Sequence, residues 1–421
     1  MRERTSLERL WTDDAFRRFF AARTISFAGS SLTYVALPVL VYSLTRSPLL
    51  TGVVAGFEAV PYLMFGLVAG ALADRWNRQR LMVVSDVLSA LALASLPAAA
   101  AFGALTVGHV LVVAAVAPTM FVFFDAANFG AVPVLVGRQR IAEANSAIWA
   151  AATIGDIAAP AAAGALLALV APTSLIAIDA LTFAASAFFI RAIRRPMSDP
   201  EREGIAAGLS GLRHDVAEGL RFLVRQAHVR TMTILGACQS IAGGAFVGQM
   251  VVWADRSLGV RAGNVRLGFL FGGWGVGALV AAMLTPRLSR RFGAARLVLT
   301  ALPASAVLAT ATALAPNWVA GTLLLVAWSS AYMLVVISTI NYRQQVTPER
   351  LMSRVNTAGR MLSFGAGFPA GALVGGAVAG SAGPVAGMLA GAVVAAFGAT
   401  YAWMSPLRSL APSGQSEPAV R

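Results

Sequence analysis

Apolar runs of bilayer-spanning length, each closed by charged or turn residues, recur twelve times along the chain, at 19–43, 50–73, 81–102, 109–127, 148–170, 175–193, 231–253, 267–284, 297–315, 318–340, 361–379 and 385–404. A hydrocarbon core of about 30 Å takes roughly 20 apolar residues in a helix. The pattern therefore predicts an all-α integral membrane protein of twelve transmembrane helices. Its longest polar stretch, 194–230, contains Pro196, Pro200, Gly204, Gly208 and Gly211 and separates an N-terminal six-helix bundle, 1–193, from a C-terminal one with a short tail, 231–421. Within that linker Leu209, Leu212, Val216, Leu220 and Leu223 recur at helical spacing among charged residues, which predicts an amphipathic surface helix. The polar residues 1–20 lead into the first run without a small-residue cleavage site, so that run is expected to be retained.

Composition fits this reading, with 57% hydrophobic and 12% charged residues against roughly 25% charged in soluble domains. A net charge of +14 would suggest nucleic acid in a soluble protein, but its distribution points elsewhere. Of the 33 Arg, 29 fall on the side of both termini, and only Arg46, Arg256, Arg261 and Arg266 fall opposite. The positive-inside rule then places both termini in the cytoplasm of a multi-pass cell-membrane protein, with the excess charge facing anionic lipid and no nucleic-acid partner. The chain has no Lys, which excludes a P-loop and any Schiff-base cofactor. His109, His214, His228 and Cys238 are too few and too scattered for a metal, haem or iron-sulfur site, so no cofactor is expected. Nor can a nucleophile, base and orienting group be assembled, so no enzyme is expected.

The two halves repeat. Arg75, Arg80 and Leu81 after span 2 match Arg291, Arg296 and Leu297 after span 8 at an offset of 216, while Asn145 matches Asn356 and Pro160 matches Pro369 at offsets of 211 and 209. Gly70-Ala-Leu-Ala-Asp74-Arg75-Trp-Asn77-Arg78-Gln-Arg80 resembles the major facilitator signature G-x-x-x-D-R/K-x-G-R-R/K. Asn77 stands where that family usually has Gly, and Asn tolerates a left-handed turn. The stretch from Gly155 through Pro160 to Gly164 resembles the antiporter signature G-x-x-x-G-P-x-x-G-G, with Ala at two Gly positions. Leu44-Thr-Arg-Ser-Pro48, Phe124-Asp125-Ala-Ala-Asn128 with Ala144-Asn145, and Asp179-Ala-Leu-Thr-Phe183 look like the branch of macrolide-efflux and enterobactin-exporter proteins. The resemblance implies two six-helix bundles around a central cavity, a parallel repeat, and a monomeric proton-coupled exporter of small amphipathic molecules working by alternating access. With no ATPase motif in the chain, uphill transport must draw on an ion gradient.

Ionisable residues inside a bilayer are costly and call for a partner or a function. Five acids lie in or at the ends of spans, Glu58, Asp86, Asp125, Asp156 and Asp179, all in the N-terminal half. Glu58 and Asp156 are eight residues into spans 2 and 5 and are the proton-coupling candidates. Asp86 and Asp125, near span ends, are expected to join Asp74, Arg75, Arg78 and Arg80 in a cytoplasmic gate. Asp179 is expected to make a fixed hydrogen bond. Arg23, several residues inside span 1, either snorkels to the interface or serves as counter-ion to an acid or to an anionic substrate.

By resemblance, spans 1, 4, 7 and 10 line the cavity. Its candidate substrate contacts are Arg23, Ser30, Tyr34, Met120, Phe121, Phe124, Gln239, Phe246, Gln249, Trp328, Tyr332 and Met333, with helix packing as the alternative role for each. An importer of a small metabolite on the same fold, and a non-transporting membrane sensor or assembly partner, are the competing functions. The acid-free C-terminal spans and the absence of a sizeable soluble domain weigh against them.

Overall fold

The computed structural model describes residues 10–198, 209–261, 264–348 and 351–409. Every regular element among them is helical. A bilayer core offers no water to an open N–H or C=O, and a helix satisfies both within itself. Eleven helical stretches among the described residues are long and apolar enough to cross a membrane.

The first half runs α1 (Asp14–Thr45), α2 (Pro48–Phe57), α3 (Val60–Arg75), α4 (Arg78–Ala101), α5 (Val107–Val136), α6 (Ile141–Leu166) and α7 (Pro172–Arg191). Helix α6 holds most of the fifth predicted span. After α8 (Leu209–Arg225) in the linker come α9 (Ala227–Leu258), α10 (Val265–Phe292), α11 (Ala294–Ala313), α12 (Trp318–Val346), α13 (Met352–Arg360), α14 (Phe368–Ala382) and α15 (Pro384–Met404). Their starts are written locally. Ser47, Asn77, Thr106 and Asn317 each accept a main-chain N–H from the first turn they precede, and Pro stands in the first turn of α2, α7 and α15. Helices α1, α5 and α12, with 32, 30 and 29 residues, exceed a core of about 30 Å, so they continue into the headgroup layers beyond the apolar runs that predicted them.

Two predicted spans are not plain α-helices. Span 2 breaks at Glu58 and Ala59, between α2 and α3. Pro61 accounts for the break, because it has no N–H to give and its ring excludes the carbonyl four residues back, that of Phe57. In span 11 a π-helical turn, Met361–Gly367, joins α13 to α14 just ahead of Pro369. The wider turn relieves the same conflict.

The helices form two compact units. One comprises Met1–Thr45, Pro61–Leu212 and Gly263–Gly268, and the other Arg46–Val60, Arg213–Ala262 and Phe269–Arg421. The first unit is built on Phe16 and Phe19 of α1, Met82 of α4, Phe124 and Leu135 of α5 and Ile190 of α7. The second is built on Met232 and Leu235 of α9, Leu302 of α11, Val335 of α12 and Ala402 of α15. The end of the linker helix docks there, with Leu223 packed on Val229, Leu351, Val355 and Ala358. Leu220 and Val224 beside it stay exposed. Leu209, Leu212 and Val216 have side chains outside the described residues.

The loop after α3 is pinned to its own unit. Asn77 sits at φ −59°, outside the left-handed region, and its side chain caps α4 through the Arg80 N–H at 3.0 Å. An amide cap takes the place of the turn expected from the glycine position. Gln79 donates to the Ile190 and Ile193 carbonyls at 2.8 and 2.7 Å, and buried Arg78 donates to Gly130 and Ala73 carbonyls at 2.9 and 3.3 Å. Asp13 pairs with Arg195 at 2.7 Å. Partial burial would raise the Asp13 pKa, but the Arg195 guanidinium and the Phe16 and Ala15 main-chain groups hold it below its usual value.

Gly130 is where α5 leaves room for Arg78, since a Cβ there would fall on the guanidinium. Gly130→Val should displace Arg78 and destabilise the unit by about 1–3 kcal/mol. The check is the melting temperature of the detergent-purified protein, and an unchanged value would mean that Arg78 is not wedged against this helix.

Candidate functional site

The N-terminal unit carries a cluster of buried charges. Arg23 on α1 is 4% exposed. Its guanidinium lies over the rings of Phe27, Phe124 and Phe121, at 4.6, 5.0 and 6.0 Å from their centres. This places a cation on the electron-rich faces of three rings. Its Nη2 stands 3.8 Å from Asp125 Oδ1 on α5, close enough for an ion pair and too far for a hydrogen bond. Its Nε has no hydrogen-bond partner. The guanidinium is therefore held by charge and ring faces with hydrogen-bonding capacity left over. Tyr62 of α3 packs edge-on to Phe121 with ring centres 6.5 Å apart, closing the cage on one side.

Two further carboxyls continue the cluster. Asp86 on α4 faces Ser186 and lies within electrostatic reach of both Arg23 and Asp179. Asp179 on α7 accepts hydrogen bonds from Thr33 of α1 at 2.5 Å and from Thr182 at 3.0 Å. Asp86 and Asp179 are each 1% exposed. Asp125 and Asp86 thus lie within electrostatic reach of the caged guanidinium, and Asp179 lies within reach of Asp86. Burial of this kind is tolerable only where partners hold each group.

Each residue singled out in the sequence has a place. Asp86 and Asp125 sit beside Arg23. Asp125 lies deeper than its apolar run suggests, because α5 continues for about three turns beyond it. Arg78 reaches main-chain carbonyls, and Arg75 and Arg80 are exposed. The side chains of Asp74, Asp156 and Pro160 lie outside the described residues, though Asp74 is on α3 and the other two on α6. Glu58 caps α2 at the break in span 2. Gly155 is half-buried, and Gly164 lets α6 meet the main chain of Gly268 so closely that a Cβ would overlap it.

Of the cavity candidates on the N-terminal side, Phe121 and Phe124 belong to the Arg23 cage, and Ser30, Tyr34 and Met120 are half-buried. In the C-terminal unit Gln239, Phe246, Gln249 and Trp328 are fully buried. Ser305 Oγ accepts from Gln239 Nε2 at 2.6 Å and from Trp328 Nε1 at 3.2 Å. Phe246, Trp274 and Tyr332 stack around Trp328 with ring centres 4.0, 4.9 and 5.8 Å away. These residues knit α9, α10, α11 and α12 together, and Met333 beside them is half-buried. Sequence reasoning missed Thr33, Ser305 and Trp274, whose partners come from other helices. Thr182, three residues after Asp179, was legible as a helical neighbour.

Known proteins align with this arrangement over most of its length. Residues 9–418 match the family model of the transmembrane secretion effectors, a group of major facilitator transporters. The chain is 29% identical over 358 residues to the multidrug efflux pump Tap of Mycolicibacterium fortuitum, covering 83% of this chain and 85% of the pump. To the enterobactin exporter EntS of Shigella boydii serotype 4 (strain Sb227) it is 26% identical over 361 residues, covering 83% and 82%. The fold matches the crystal structure of a bacterial homolog of the human lysosomal transporter Spinster, with a TM-score of 0.73 at 13% identity over 96% of this chain and 98% of that one. With its twelve predicted spans, its repeated halves and this match from end to end, the chain belongs to the transmembrane secretion effector family of major facilitator transporters.

Proposed function

We propose that this protein is a proton-coupled exporter of small amphipathic molecules that works by rocker-switch alternating access. In this reading it is a monomer in the cell membrane, with both termini and the Arg-rich end on the cytoplasmic, anionic-lipid side, and it takes no nucleic acid. Export follows the efflux pumps it resembles. The observation that carries proton coupling is the Arg23 cluster. Asp125 and Asp86 share one guanidinium, so a proton arriving on one carboxyl shifts Arg23 toward the other and a proton leaving draws it back. Arg23 is on the first span and Asp125 on the fourth, two spans that line the cavity by family resemblance, so a change in their pairing is a change in the wall that substrate meets.

Depth in the spans favours Glu58 and Asp156 as proton carriers. The Arg23 cluster unites a cation, neighbouring carboxyls and an aromatic cage, which makes it the stronger candidate. Glu58, at a helix break, suits a conformational role better. The aromatic groups around Arg23 and the half-buried Ser30, Tyr34 and Met120 supply contacts for a bulky apolar substrate with few fixed polar demands.

Cells making the protein should accumulate less of a lipophilic aromatic dye than cells without it, and a protonophore should abolish the difference. Equal accumulation across a broad panel of amphipathic compounds would contradict export. Asp125→Asn and Asp86→Asn should each lower gradient-driven efflux by about tenfold or more with protein levels unchanged, the scale on which a lost positioned proton acceptor acts. Glu58→Gln and Asp156→Asn should retain most of it. The reverse pattern, tested by dye efflux from cells energised after loading, would return the proton to Glu58 or Asp156.

A further inference from the structure

The start of span 2 does not group with its own half. Residues Arg46–Val60 fall in the compact unit made by the C-terminal helices, while the chain from Pro61 onward falls in the other. The boundary coincides with the break at Glu58 and Ala59, where Pro61 has already interrupted the helical hydrogen bonds. Bending there gives up only the tight turn in which the Glu58 and Ala59 N–H groups donate to the Ala55 and Gly56 carbonyls at 3.3 and 3.1 Å.

Several independent contacts hold α2 in that unit. Arg46 Nη1 donates to Asp255 Oδ2 at the end of α9 at 3.1 Å, and Arg256 Nη2 donates back to the Arg46 carbonyl at 2.8 Å. Arg46 is the non-glycine residue with positive φ among the described residues, at 51°. That strained backbone turns its carbonyl and its side chain toward the same pair of residues. Deeper in, buried Gln249 of α9 donates to the Pro48 carbonyl at 3.1 Å, and Gly52 lies so close to the Ala372 carbonyl of α14 that a Cβ would collide with it. Next to Gly52, Thr51 is wholly buried.

We propose that Arg46 and Asp255 form an ionic latch that holds α2 on the C-terminal helices, that Glu58 and Ala59 are its hinge, and that release of the latch lets α2 swing away from them. The Gln249 and Gly52 contacts are short-range and apolar or neutral, so they fix where α2 docks. The ion pair is the part that can be released by charge. Arg46 is 68% exposed and Asp255 17%, which leaves the pair open to ions from the aqueous phase. In an alternating-access cycle the latch would set how often α2 leaves the C-terminal helices, independently of the cluster at Arg23. The proposal rests on the reading that the termini are cytoplasmic, which makes this end external.

The test uses the full-length protein in cells, with Cys238→Ser removing the one native cysteine and Thr51→Cys as reporter, probed by a membrane-impermeant maleimide added outside. Labelling should be slow. Raising the salt to about 1 M should speed it about threefold, the size of effect expected of a partly exposed ion pair. Asp255→Asn should give the faster rate and lose the salt response, and Asp255→Glu should restore both the slow rate and the response. A labelling rate indifferent to salt, or Asp255→Asn labelling at the parental rate, would overturn the latch. If Asp255→Asn fails to reach the membrane, the salt response of the Thr51→Cys protein decides alone. The same measurements in inside-out vesicles separate the two readings, because labelling found only there, with the same salt response, overturns the orientation and supports the latch. Since the assay reads release of α2 and not transport, failure of the export reading leaves its outcome intact.

Discussion

A guanidinium within the transmembrane part of a helix bundle must find its partners inside the protein, and Arg23 organises the N-terminal unit around that requirement. Three phenyl rings on α1 and α5 cover its faces, Asp125 of α5 supplies the charge, and Asp86 of α4 stands within reach. Asp179 follows from Asp86 and is held by Thr33, ten residues along the same helix as Arg23. Four helices therefore meet at polar groups as well as at the apolar core of Phe16, Phe19, Met82 and Ile190. Moving any one of these charged groups out of the cluster leaves a partner behind it with less compensation.

The two units solve the problem of membrane packing differently. The C-terminal spans hold no Asp or Glu. Their polar groups are mostly amides, hydroxyls and indoles, Ser305 satisfies a glutamine and a tryptophan at once, and buried Arg343 of α12 donates to Asn356 Oδ1 at 3.2 Å. Small residues do the rest, letting main chains approach where Gly371 of α14 meets the Ile241 carbonyl of α9. Such close packing depends on shape.

Much of this plan was legible in the sequence because a bilayer permits few alternatives. Run length gave the spans, Pro and polar residues marked most of their starts, and the spacing of Leu in the linker gave α8. Four features were less accessible. The depth of Asp125 was underestimated because α5 carries on through Asn128 and Pro133 into the headgroup region, where hydropathy no longer reports helix. The break in span 2 was written in Pro61, but an apolar window passes over a proline, and several others, such as Pro38 and Pro97, sit inside unbroken helices. Asn77 acts as a helix cap in place of a left-handed turn, a choice set by the following helix and not by the motif. Arg23 had its counter-ion role among the sequence alternatives, whereas the cage and the joining of Asp86 to Asp179 depend on helix rotations that no run of residues encodes by itself.

Substrate and proton are expected to exchange at the carboxyls beside Arg23. Proton release on substrate binding tests this most directly, with the detergent-purified protein in unbuffered solution and an exported compound added at saturating concentration. The wild-type protein should acidify the solution in proportion to the substrate bound, and the Asp86→Asn, Asp125→Asn double variant should bind without acidification. Acidification of equal size in both, or none in the wild type under conditions where it binds substrate, would contradict exchange at this cluster.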